Sequence, residues 1–421
     1  MTELLIASST PSVSSSYSDL FSHASLSSTP SISSSYSTLK TPSSSFLISQ
    51  LVDETLPEQP STREGNLKAL KILEVKGIAI REVPPSITCL KFLDKLSLAR
   101  CRNLEVLSFL EYAFPSWWLW KLDLTDCGIE VLPNDLGRIR SLVRLYLGRN
   151  NFESLPVSIK DLSNLLWLDL RNCEKLKSLP ELPQRLETIE ARGCTSLEAL
   201  SGLPSLCPST FYTICFINCF KLKLDELPDL KLHQLLHQLF FPEEEVTRDY
   251  LQRSIFSSSA CICYPGSKIP EWFSLKSTGF EIKLPAGWLS DDLIGFAFCA
   301  VASFRDYQEL GTFTVRFRLL VNEEIVSFGH LFKYNGHEVI ESDHVFVGYD
   351  FAIMFDALPT LNLNSEGYIM FYVEHGSENS IDFSKVKKCG VRLLYAKDNY
   401  MGTDAKVDRD QRLKPIAGAS I

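Results

Sequence analysis

The sequence predicts an α/β solenoid of short repeats followed by an all-β sandwich, with a disordered Ser-rich segment at the N-terminus. Three observations carry this. A leucine frame recurs at steps of 21 to 26 residues, apolar and polar residues alternate beyond residue 261, and the first 50 residues hold 20 serines. At 421 residues the chain has room for about two or three domains of ordinary size.

The leader, residues 1–62, lacks the apolar content to offset the entropy of ordering, which predicts disorder. Within its first 50 residues only Glu3, Asp19 and Lys40 are formally charged, and Ser8 to Leu20 is repeated almost unchanged as Ser27 to Leu39. Organelle-targeting segments share the serine content but are also Arg-rich, and the first arginine here is Arg63.

Residues 66–203 carry the frame LxxLxLxx(N/C). Clear copies are Leu93-Leu96-Leu98-Cys101, Leu119-Leu122-Leu124-Cys127, Leu142-Leu145-Leu147-Asn150 and Leu165-Leu168-Leu170-Cys173. Weaker ones are Leu70-Leu73-Val75-Ile78 and Leu186-Ile189-Ala191-Cys194, giving six in all. This is the spacing of leucine-rich repeats. A single unit cannot cover its own leucines, so stacked coils must share one core. A strand is expected at each LxL, an inward turn at each Cys or Asn, and a return segment through Leu132-Pro133, Leu155-Pro156 and Leu179-Pro180. Small turn residues are expected to pack and bond to backbone between coils, which fits buried thiols rather than metal or redox sites.

Beyond Leu203 the frame is read as lost, and residues 204–260 as a linker. Leu232, Leu235, Leu236 and Leu239 at helical spacing predict an amphipathic helix within residues 225–240. His233 and His237 on it lack a third ligand for a metal. Residues 261–400 read as β. Phe313, Val315, Phe317 and Leu319 alternate with polar residues, and further apolar runs fall at 280–284, 293–304, 345–355, 368–373 and 391–395. Residues 401–421 read as a flexible tail.

A net charge of -9 argues against a general grip on nucleic acid or anionic lipid. The longest apolar run, Leu293 to Phe304, is too short for a membrane-spanning helix. Twelve cysteines without a CxxC pair, together with the lack of any Asn-x-Ser/Thr sequon, suggest a reducing compartment. Gly-x-Ser-x-Gly, HExxH and a phosphate loop are absent, and Asp291-Asp292 and Glu243-Glu244-Glu245 read as solvated acidic runs. No catalytic residue, metal or cofactor is therefore assigned.

Function is expected on the outward positions of the strands, which alternate with the leucines. The candidates for binding protein on the concave face are Arg144, Tyr146, Arg149, Trp167, Asp169, Arg171 and Arg192. Aromatic and arginine side chains are favoured as interface anchors. Tyr146 and Trp167, on adjacent copies, are expected to stack side by side.

The repeats with Cys at the turn, followed by FINCFKL (216–222), YPGSKIPEWFS (264–274), LIGFAFCAV (293–301) and KKCGVRLLY (387–395), closely resemble the C-terminal half of plant TIR-type intracellular immune receptors. The resemblance covers residues 66 to 397. It implies a jelly-roll or Ig-like sandwich abutting the repeats, with both contacting the ligand. It also implies a cytoplasmic or nuclear recognition module whose partner is a pathogen effector, a guarded host protein or a full-length receptor. Neither the TIR domain nor the nucleotide-binding domain of that family is found, so only the recognition role carries over. A truncated receptor, a splice form or an incomplete gene model would fit. The other classes compatible with the residues are a general repeat scaffold, an extracellular receptor or inhibitor and, remotely, a hydrolase.

Overall fold

Each copy of the leucine frame folds as one coil of a solenoid, and its LxL centre supplies one short strand. In the computed structural model, β1 (Glu3–Ala7) pairs antiparallel with β2 (Ile72–Lys76). Then β3 (Lys95–Ser97), β4 (Lys121–Asp123), β5 (Arg144–Tyr146) and β6 (Trp167–Asp169) join in parallel, in register. β7 (Ser178–Leu179) lies off this ladder, β8 (Thr188–Glu190) extends it, β9 (Ala199–Leu200) pairs with β7, and β10 (Tyr212–Cys215) extends the ladder again. The structure describes residues 3–7, 71–83, 87–88, 90, 92–104, 107–110, 118–200, 212–222, 224, 259–290, 292–304, 311–336, 339–350, 365–375 and 380–395. The helix expected at 225–240, with His233 and His237, and the tail at 401–421 lie outside these residues.

The frame leucines point inward. Leu96, Leu122, Leu145 and Leu168 are fully buried, as are Leu98, Leu124, Leu147 and Leu170. The turn residues tie neighbouring coils together as expected. The thiols of Cys101, Cys127, Cys173 and Cys194 donate to the carbonyls of Val75, Leu98, Leu147 and Leu170, at 3.1 to 3.3 Å. Asn150 does more at the same position. Its Oδ1 accepts from the N–H of Cys127 and Ile129, each at 3.1 Å, and its Nδ2 donates to the carbonyls of Leu124 and Leu147, each at 2.8 Å. The residue before each turn takes a left-handed conformation: Arg100, Asp126, Arg149 and Asn172 have φ of 57 to 65°.

Three expectations are corrected. The solenoid is not α/β. Among the described residues its return segments hold 3-10 turns, Ser108–Leu110, Asn134–Arg138 and Val157–Asp161, and no α-helix. Coils this short leave few residues outside strand and turn, and Pro133 and Pro156 open two of the return turns, so a tighter winding fits. The frame also runs past Leu203. β10 belongs to a seventh coil, in which Asn218 has φ 60° and the Cys219 thiol donates to Ala191 O at 3.0 Å. Finally, residues 3–7 of the leader form a strand on the first coil, in the run ELLIA, while the rest of the leader expected to be disordered lies outside the described residues.

The ladder continues without a break into the C-terminal part. β11 (Ser259–Pro265) pairs parallel with β10. There follow β12 (Leu275–Thr278), β13 (Glu281–Lys283), β14 (Leu293–Ala302), β15 (Phe313–Val321), β16 (Glu324–Tyr334), β17 (His344–Asp350), β18 (Gly367–His375), β19 (Ser380–Asp382) and β20 (Val386–Tyr395). The main sheet adds β11-β17-β14-β20-β12 after β10, and a second sheet has the order β13-β18-β15-β16 with β19 beside β18. The two sheets face each other across Phe296, Phe298, Phe317 and Phe371; the rings of Phe298 and Phe317 are 4.1 Å apart. The other side of β14 and β17, with Ala297, Cys299, Val345 and Val347, joins the buried cluster of the solenoid leucines. The expected strands at 280–284, 293–304, 313–319, 368–373 and 391–395 are present, as is 345–350 of the run at 345–355.

Candidate protein-binding face

Parallel, in-register pairing sorts the outward side chains into rows that cross the coils. One row reads Lys95, Lys121, Arg144, Trp167 and Thr188. The next reads Glu74, Ser97, Asp123, Tyr146, Asp169 and Glu190. The first row is therefore basic over three coils and the second mainly acidic. This arrangement corrects the expected stack of Tyr146 on Trp167. Trp167 precedes its frame leucine whereas Tyr146 follows its own, so Trp167 lies opposite Arg144 and Tyr146 opposite Asp169.

The cations of the first row rest on rings. Lys95 Nζ lies 5.0 Å from the ring centre of Trp120, Arg144 approaches the same ring at 5.9 Å, and Lys121 Nζ lies 4.7 Å from Tyr146. Trp120 was not among the sequence candidates. Its signal was the aromatic run around residue 118, one position short of the strand. Trp167 is partly buried, and among the described residues its indole N–H is enclosed without a hydrogen-bond acceptor.

The remaining candidates divide. Arg149 is exposed at the left-handed turn position of its coil. Asp169 is buried and accepts two hydrogen bonds from the Arg171 guanidinium, at 2.6 and 2.9 Å, and one from the Arg171 backbone N–H at 3.0 Å. That carboxylate braces the turn, and Arg171 keeps 42% of its side chain exposed beside it. Asp123 does the same two coils earlier, accepting from Thr125 N and Ser97 Oγ.

Arg192 is not an available surface residue. It is 5% exposed, pairs with Glu190 at 3.2 Å, donates to Asn335 O at 3.4 Å and lies 5.0 Å from the Tyr334 ring. It is thus a tie between the sixth coil and the end of β16. A side chain at Gly336 would occupy the space of the Arg192 guanidinium. A second tie lies one coil on. The buried His344 ring accepts the Asn218 N–H at Nε2, 3.1 Å, and faces Ser342 O from Nδ1 at 2.9 Å, while Asn218 Nδ2 donates to Val339 O at 2.7 Å. Burial lowers the His344 pKa from 6.5 to about 4, which keeps the ring neutral with Nδ1 as the donor.

The ten described cysteines are free and buried. Burial pushes the thiols of Cys127, Cys261 and Cys389 up to about 12. Among the described residues no cluster of three or more His, Cys, Asp or Glu is placed to hold a metal, and no helix is long and apolar enough to cross a membrane.

These features define a leucine-rich-repeat protein whose ladder passes directly into a β domain. Residues 264–400 of that second part match the C-JID domain family. The chain is 31% identical over 375 residues to disease resistance protein RPS4 of Arabidopsis thaliana, an alignment covering 82% of this chain and 29% of the relative. Disease resistance-like protein DSC1 of the same plant is 30% identical, with 81% and 30% covered, and disease resistance protein RPP2B is 32% identical, with 75% and 28% covered. The chain belongs with these plant disease resistance proteins, and it spans under a third of the length of each of the three. Among solved structures, the leucine-rich repeat domain of the type III effector XCV3220 (XopL) is similar at 19% identity and a TM-score of 0.29, over 37% of this chain and 64% of that one. A Leptospira interrogans LRR protein, LIC12759, is similar at 17% identity and a TM-score of 0.24, over 47% and 67%.

Proposed function

We propose that this protein is a non-catalytic recognition module of plant immunity, binding another protein through the outward rows of its coils together with the C-JID part, a jelly-roll or Ig-like sandwich. The partner is a pathogen effector, a host protein that an effector targets, or a full-length immune receptor. One observation carries the reading: cations and aromatic rings gather in register on the outward face of coils two to five, with Arg144 exposed and Lys95, Trp120, Lys121, Tyr146 and Trp167 partly exposed. Rings supply contact area at small entropic cost, and Arg144 supplies forked donors. The ties at Arg192 and His344 fix the C-JID part against the coils, so that both can form one composite surface. Free buried thiols suit a cytoplasmic or nuclear protein, and they are committed to packing rather than to chemistry.

The test is capture of a partner from infected or healthy plant extract, followed by affinity measurement with Trp167→Ala. Loss of at least about tenfold, equivalent to about 1.4 kcal/mol, is expected. Undiminished binding by Trp167→Ala, Tyr146→Ala and Arg144→Ala, each folded, would place the site elsewhere.

A further inference from the structure

Lys95, Lys121 and Arg144 share one row on three adjacent strands, and among the described residues none of them has a carboxylate partner. Several cations elsewhere on the solenoid are paired: Arg102 with Asp126, Lys160 with Glu181, Arg171 with Asp169, Lys177 with Glu153, Arg192 with Glu190 and Lys221 with Glu198. Adjacent strands lie about 4.8 Å apart, so the row concentrates three positive charges within about 10 Å. Trp120 and Tyr146 offset part of that repulsion through their ring faces, and they orient the cations along the row. The acidic side chains of the next row are already engaged: Asp123 with Ser97 and Thr125, Asp169 with Arg171, Glu190 with Arg192.

We infer that this row binds an extended acidic segment of a partner protein, lying across coils two to four. The inference rests on the recognition role proposed above and adds the chemistry of the partner. A strand crossing the ladder with acidic residues at alternate positions sets carboxylates about 6.6 Å apart, within reach of three long cationic side chains. A polyanion of larger cross-section fits less well, because Asp123, Asp169 and Glu190 form the neighbouring row and the whole chain carries a net charge of -9.

The probe is a labelled peptide of alternating Glu and Ser, compared by fluorescence anisotropy with an uncharged Asn-Ser peptide and a short oligothymidylate. The wild-type chain is expected to bind the Glu peptide at least about tenfold tighter than the uncharged one, with affinity falling as salt rises. Lys121→Gln combined with Arg144→Gln is expected to abolish that preference. Lys177→Gln combined with Lys221→Gln, which alters paired cations off the row, leaves it intact. Equal binding of charged and uncharged peptides, or undiminished binding by the first double variant, overturns the inference. Tighter binding of the oligothymidylate, lost in that variant, overturns it in favour of nucleic acid. Should a captured partner depend on Trp167 while the Glu peptide ignores the row, the acidic segment falls and the recognition role stands.

Discussion

Replacing Asn150 by alanine tests how the coils are held together. The side chain is 2% exposed and makes four hydrogen bonds, two accepted from Cys127 and Ile129 and two donated to Leu124 and Leu147. Alanine strands two backbone N–H groups and deprives two carbonyls of a donor in a site closed to water. Each stranded buried group costs about 1 to 3 kcal/mol, and some relaxation of the turn recovers part of that, so a loss of about 3 to 5 kcal/mol is expected. Asn150→Cys is the informative comparison. Cys127 and Cys173 at the equivalent positions each donate to the carbonyl of a preceding coil, so cysteine recovers one of the four bonds and is expected to lose less than alanine. Urea unfolding followed by circular dichroism measures both. If Asn150→Ala matches wild type, or is as stable as Asn150→Cys, the hydrogen-bonded turn is not what couples the coils.

Three further outcomes follow from the same structure. Leu168 is fully buried between coils, so Leu168→Ala is expected to cost about 2 to 5 kcal/mol, read from the urea midpoint. His344 stays neutral when folded down to about pH 4 but protonates near pH 6.5 when unfolded. The unfolded chain therefore binds the extra proton first, and stability falls as pH drops from about 6.5 to 4, by about 2 kcal/mol at pH 5; urea titrations in which His344→Gln shows the same fall would refute this. Of the twelve thiols in the chain, the ten described are buried, so no more than two are expected to react with a thiol reagent at pH 8 before urea is added.

The solenoid was legible because its leucines repeat at fixed spacing and each copy obeys the same packing rule. The seventh coil escaped because its frame, Phe211-Ile214-Phe216-Cys219, carries no leucine and follows a Ser- and Pro-containing stretch. Row positions could have been assigned from the frame alone. Trp167 and Arg144 both precede their second leucine, and counting from that leucine separates Trp167 from Tyr146. The burial of Arg192 had no local signal, since Asn335 and Tyr334 come about 140 residues later. Asp169 reads in the sequence as a surface charge, whereas in the fold it accepts the Arg171 N–H in the turn just before the left-handed Asn172. In the C-terminal part, alternation marked β15 clearly, whereas β16 has Phe328 69% exposed and too irregular a pattern to read.

Placing a photoreactive phenylalanine at position 167 and, separately, at position 131 tests most directly whether recognition occurs on the outward rows. Val131 is 78% exposed on a return segment away from the ladder. Irradiation with a captured partner is expected to give a covalent product from position 167 and none from position 131. Crosslinking from position 131 alone, with the position 167 protein folded and still bound to the partner, would contradict a binding site on the ladder face.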